Sequence, residues 1–159
     1  MAKITDEKYS EIKKEALELF KNNRKISCSC FWGIDVKLSP SWFNHLEWQR
    51  EWHKRSKNEA FMRYLCFKHI KYILNNSILY QEYKEELKEF SIKRKWKKVK
   101  VKKIVEYFWI VAIVNNNKNR VKVVIAKTEG WWHYEFISVV PYWSNSGYNK
   151  LFYEENIEK

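Results

Sequence analysis

Residues 98–114, KVKVKKIVEYFWIVAIV, decide the fold: the stretch is rich in β-branched and aromatic side chains, as a strand requires. The remainder of the chain up to residue 143 has the same character. NNNKN (115–119) reads as a turn, RVKVVIAKT (120–128) as a strand, Glu129-Gly130 as a turn and WWHYEFISVVPYW (131–143) as a further strand. Connections this short join consecutive strands antiparallel, which predicts a C-terminal meander of three to four strands.

Upstream the pattern is helical. Asp6 caps a helix running to about residue 23, with Tyr9, Ile12, Ala16, Leu19 and Phe20 on its apolar face. Residues 26–38 read as irregular with one short strand. Ser39-Pro40 then starts a helix over SWFNHLEWQREWHKRS that carries Trp42, Leu46, Trp48 and Trp52 together with His45 and His53. Asn58 caps another helix through EAFMRYLCFKHIKYILNN, and SILYQEYKEELKEF reads as a shorter helix or an ordered loop. The expectation is an α+β protein, N-terminal helices packed on a C-terminal antiparallel β-sheet, in a single domain over 1–159. LFYEENIEK at the end reads as a short docking segment with a frayed terminus.

Lys+Arg 31 against Asp+Glu 19 leaves a net charge of +12 on 159 residues, which favours an anionic partner: nucleic acid, an acidic protein or a membrane surface. Eight basic residues and no acidic one lie in 93–103, KRKWKKVKVKK, leaving +4 for the other 148 residues. Within this run Val99 and Val101 point to one face of a strand and Lys98, Lys100 and Lys102 to the other, with ammonium groups recurring every ~6.6 Å. That spacing is comparable with successive phosphates of an extended strand, although lysines on an edge strand also serve to block sheet-to-sheet aggregation. Lys93, Arg94, Lys95, Trp96, Lys97, Lys98 and Lys100, joined by Arg120, are therefore the candidate nucleic-acid contacts; rings to stack bases and cations to hold the backbone suit a single strand.

Other classes are disfavoured. Three glycines leave little room for a phosphate loop, a nucleophile elbow or a dinucleotide fingerprint, and there is no HExxH. The apolar run 104–114 is too short to span a bilayer, and the N-terminus lacks the apolar centre of a signal peptide. With three cysteines, an odd number, the expected location is the reducing cytoplasm. Cys28, Cys30, Cys66 and His69 offer four zinc-type ligands, but not at the spacing of the common fingers; buried thiols and a satisfied histidine are the alternative, and no metal or other cofactor is expected.

A histidine near neutral pKa can take the proton of a 2′-hydroxyl or protonate a departing 5′-oxygen, which makes His45 and His53 candidates for RNA cleavage. Lysines would stabilise the phosphate charge, and Ser138 either hydrogen-bonds a phosphate oxygen or fills a tight spot. Helices, a basic strand VKKI at 101–104, the hydrophobic strand YFWIVAIV, a hairpin and a closing strand FISVVPYW resemble the phage- and mobile-element-borne ribonucleases of the barnase–EndoU–colicin–RelE-like group. The resemblance covers roughly 36–143, leaving 1–24 as a helical addition. It implies a metal-independent, toxin-type endoribonuclease with His53 or His45 on a helix, Lys102 or Lys103 on the basic strand and Ser138 on the closing strand. Members often carry an arginine near the end of the central strand, where this chain has Val114-Asn115 and reaches Arg120 only after the turn. The rival expectations are a non-catalytic module that binds single-stranded nucleic acid and a basic protein-interaction or inhibitor factor. A toxin would be matched by an acidic antitoxin or immunity protein.

Overall fold

A computed structural model describes residues 3–50, 53–115 and 119–142. Trp52 and the expected docking segment at 151–159 lie outside the described residues. Helix α1 (Asp6–Asn22) is capped by Thr5, whose side chain accepts a hydrogen bond from the Lys8 amide, so Asp6 sits in the first turn and is not the cap. Ile12, Ala16 and Phe20, four residues apart, are its buried stripe. Strands β1 (Lys25–Cys28) and β2 (Ile34–Lys37) form a hairpin where the sequence read as irregular. The chain reverses at Trp32 and Gly33, both left-handed (φ 53° and 81°), a conformation that glycine adopts without penalty.

Helix α2 (Pro40–Asn44) starts at the expected Ser39-Pro40 signal but stops after five residues. The remainder of the predicted helix forms a small ribbon, β3 (Trp48–Arg50) with β4 (His53–Lys54), so His45 and His53 do not share a helix. The reason is tertiary. Leu46 is fully buried, and the Glu47 carboxylate is drawn inward to receive Lys13, Lys54, Tyr9 and Tyr64 at 2.9–3.2 Å. Helix α3 (Lys57–Phe67) is capped by Ser56 rather than Asn58, and α4 (Ile70–Asn76) begins after a break at Lys68-His69.

Strand β5 (Glu82–Arg94) occupies most of the segment read as helix or loop. All thirteen of its residues pair with β6 (Lys97–Val114), and this pairing overrides the helical leaning of its Glu and Lys residues. β7 (Asn119–Thr128) and β8 (Tyr134–Pro141) complete the antiparallel meander β5–β6–β7–β8. The sheet is larger than a meander and is mixed: β2 adds to β8 in parallel, giving six strands in the order β1-β2-β8-β7-β6-β5. The architecture is thus α+β with four α-helices among the described residues.

One sheet face, with Phe108, Ile110, Val121, Val123, Ile125, Phe136 and Val139, joins Phe20, Phe43, Phe67, Ile70 and Leu74 from the helices in a single core. α3 lies against β8, α1 against α3 and α4 against β1. No helix among the described residues is long and apolar enough to cross a membrane.

Glu47 locks this layer from four sides. Burial alone would raise its carboxyl, but hydrogen bonds from Lys13, Lys54 and Tyr9 outweigh that and bring it down to about 2 from an ordinary 4.5. A depressed folded value means stabilisation that is complete above about pH 5 and lost as pH falls through about 2, on the order of 2–3 kcal/mol. Glu47→Ala leaves the hydroxyls of buried Tyr64 and half-buried Tyr9, and two ammonium groups, without their acceptor. It should cost about 3 kcal/mol in urea denaturation at pH 7 and flatten the acid limb of the stability profile.

Candidate nucleic-acid interface

β6 has two neighbours along only part of its length. Its residues Val105 to Val114 pair with β7, whereas Lys97 to Ile104 pair with β5 alone. Those eight pairs, Leu87↔Ile104 to Arg94↔Lys97, make a two-stranded ribbon that projects ~26 Å beyond the three-stranded region. Residues 87–104 hold nine Lys or Arg and one Glu, a net +8 of the chain's +12. The ribbon closes through Lys95 and Trp96 with φ 45° and 70°, the two left-handed positions of a type I′ turn, whose twist matches the strands. Trp96 is 93% exposed, with the Lys93 ammonium 6.0 Å from its ring.

Alternation gives the ribbon two unlike faces. One carries Lys93/Lys98, Ser91/Lys100 and Glu89/Lys102, with Lys100 reaching Glu89 at 3.8 Å. The other places Phe90/Val101 and Ile92/Val99 between two cationic pairs, Lys88/Lys103 and Arg94/Lys97. This second face continues into the body as Tyr107, Trp109, Val111 and Ile113, none of which joins the helix-covered core. The Tyr107 and Trp109 rings lie 6.1 Å apart. Lys88 sits 5.0 Å over Tyr107 and Lys122 sits 5.5 Å over Trp109. Beside the ribbon base Phe90 meets Trp131, which stacks on His133; Glu135 is 3.3 Å from His133. Two adjoining open clefts of about 320 and 340 Å³ share Lys37, Trp132 and His133, and Trp132 is 95% exposed.

The residues expected to act together on a phosphate separate into groups. Ser138 lies opposite Val124, which lies opposite Trp109, so Lys103 and Lys102 are six and seven residues away along β6, ~20 and ~23 Å. They also alternate onto opposite faces. A register slip leaves Ile137 without a partner and breaks the period-two alternation of β8 between Phe136 and Ser138. Arg63 of α3 donates to the Ser138 hydroxyl at 3.0 Å and is linked through Glu59 to Arg55, whose Nε donates to the His45 carbonyl. Burial, reinforced by the charge of Arg55, lowers the Arg63 pKa. The structure thus connects the backbone carbonyl of His45, not its imidazole, with Ser138 through an Arg–Glu–Arg chain. His45 stacks on Trp42, while His53 is exposed in β4 opposite Arg50. Arg120 pairs with Ile113, ten residues along β6 from Lys103, at the far end of the sheet from the other basic contacts.

Cys28 and Cys30 approach to 3.3 Å between sulfurs, and the hydrogen bond from Cys30 lowers the Cys28 thiol. Cys66 is wholly buried, which raises its thiol, and burial lowers His69. Among the described residues no group of three or more His, Cys, Asp or Glu is placed to hold a metal ion.

Sequence reasoning passed over Tyr107, Trp109, Lys88 and Lys122. The period-two pattern separates Tyr107 and Trp109 from Phe108 and Ile110, but it does not say which face the helices cover. Comparison with known proteins gives no match: no family model, curated protein or solved structure is significantly similar to the chain.

Replacing the turn by the residues that favour its backbone, Lys95→Asn with Trp96→Gly, should stabilise the ribbon by about 1 kcal/mol. Amide hydrogen exchange of residues 91–100 would report it as slower opening.

Proposed function

We propose that the protein binds single-stranded nucleic acid, RNA in the first instance, along the helix-free face of β6. One observation carries this reading: a single face runs from the cation-flanked ribbon to two neighbouring rings, Tyr107 and Trp109, each with an ammonium over it. The 6.1 Å between the rings matches the ~6.6 Å repeat of alternate strand residues and suits successive unstacked bases. A base seated on either ring would displace Lys88 or Lys122 toward the adjacent phosphate. Lys97, Lys103 and Arg94 on the same face extend the backbone track, and Lys98, Lys100 and Lys102 raise the potential from behind.

Labelled oligoribonucleotides in a fluorescence anisotropy titration should bind with an affinity that falls steeply with salt, at a log–log slope of roughly −0.7 per phosphate contacted. Tyr107→Ala with Trp109→Ala should weaken binding about 10- to 100-fold at constant salt. Lys97→Ala with Lys103→Ala should instead reduce the slope by about 1.4. Salt-independent binding, or binding indifferent to both pairs, rejects this face. An acidic protein is the other partner that such a ribbon would accept, and it should compete with RNA for the same lysines.

A ribonuclease reading is favoured by the Arg55–Glu59–Arg63–Ser138 chain beside His45, which brings two partly desolvated guanidinium groups and a hydroxyl to one place. In that reading Arg63 holds the phosphate, and the His45 imidazole takes the proton of the 2′-hydroxyl as it attacks phosphorus and returns it to the 5′-oxygen that departs, leaving a 2′,3′-cyclic phosphate. Cleavage of RNA in EDTA that is lost in Arg63→Lys and His45→Ala supports it. RNA that stays intact while bound leaves binding alone.

A further inference from the structure

We infer that β5 is a self-complementary edge through which a second copy of this chain docks, joining two six-stranded sheets into one. β5 is the last strand of the sheet, and no strand lies beyond it among the described residues. Residues 82–89 are all exposed. A long exposed edge strand is ordinarily blunted by like charges or proline. Here the charges alternate in sign along one face, Glu82, Lys84, Glu86, Lys88.

Antiparallel pairing of two identical strands brings only residues of equal parity opposite one another, so this face meets itself. Centred on Glu85, the pairing sets Glu82 against Lys88 and Lys84 against Glu86, each twice by symmetry. On the other face Tyr83 falls opposite Leu87, also twice, and both are exposed apolar side chains. Only Glu85 meets a like charge, its own copy on the axis, and its carboxylate already accepts the Tyr83 hydroxyl. The adjacent registers are worse: centring on Glu86 opposes Lys84 to Lys88, and centring on Lys84 opposes Glu82 to Glu86. The ion pairs that these side chains make within one copy, Lys88 to Glu86 and Lys122 to Glu82, are long at 3.9 Å, and the first is solvent-exposed on both sides while Lys122 is half-buried.

The proposal rests on the strand edge rather than on the nucleic-acid reading, but the two share Lys88, so the dimer is measured without nucleic acid. Sedimentation equilibrium of the full chain from about 1 to 100 μM should give a mass rising to twice that of one copy. Lys84→Glu alone, or Glu86→Lys alone, sets like charges face to face at two symmetric places and should raise the dissociation constant about tenfold. The double variant Lys84→Glu/Glu86→Lys restores opposite signs and should restore the dimer, with far-UV circular dichroism checking that every variant is folded. A folded wild-type chain that stays monomeric at 100 μM overturns the proposal. So does a dimer that the single variants leave unchanged, or one that the double variant does not recover.

Discussion

The structure depends on an imbalance in strand length. β6 is eighteen residues long, and β7 reaches only ten of them. Because β5 accompanies β6 along the remainder, the excess neither frays nor folds back but stands out as a ribbon. The same period-two alternation runs without interruption from Lys97 to Val114. Whatever face the core imposes at Phe108 and Ile110 is therefore transmitted to the lysines beyond it. Packing in the body thereby sets which cations share a face with Tyr107 and Trp109.

The helical layer is held differently, by a polar cluster set into an apolar core. Glu47 gathers α1, α3 and β4 through Tyr9, Lys13, Tyr64 and Lys54. A carboxylate there is worth its desolvation only because every oxygen is occupied. It also explains why α2 is short: continuing the helix past Asn44 would take Glu47 away from those partners.

Elements decided by local pattern were legible in the sequence, and those decided by distant pairing were not. β6, β7 and β8 were evident from β-branched and aromatic runs, α1 from its apolar stripe and α2's start from Ser39-Pro40. β5 was not, because Glu, Lys and Leu give no strand signal by themselves and the segment is a strand only through β6. The parallel junction of the β1–β2 hairpin with β8 depends on contacts about a hundred residues apart in sequence. The basic stretch was visible as composition, and the alternation of Val99 and Val101 against Lys98, Lys100 and Lys102 matches the register. The grouping of His53, Lys102 or Lys103 and Ser138 required knowing the strand order, and strand order separates them. The link from the His45 carbonyl to Ser138 arises from two successive i,i+4 spacings, Arg55–Glu59 and Glu59–Arg63, meeting a turn and the irregularity within β8, which no local motif signals.

The length of the ribbon has an electrostatic consequence. At physiological ionic strength a charge is felt over about 8 Å, so a projection of ~26 Å spans more than three such lengths. A polyanion approaching the tip is screened from the body and meets only the cations around Lys95 and Trp96. First contact is then biased toward one end, and the long axis of the molecule is aligned before the sheet face is reached. If the protein binds nucleic acid as proposed, the projection would act as an antenna that converts random collisions into a common orientation, with the rings of the sheet engaged second.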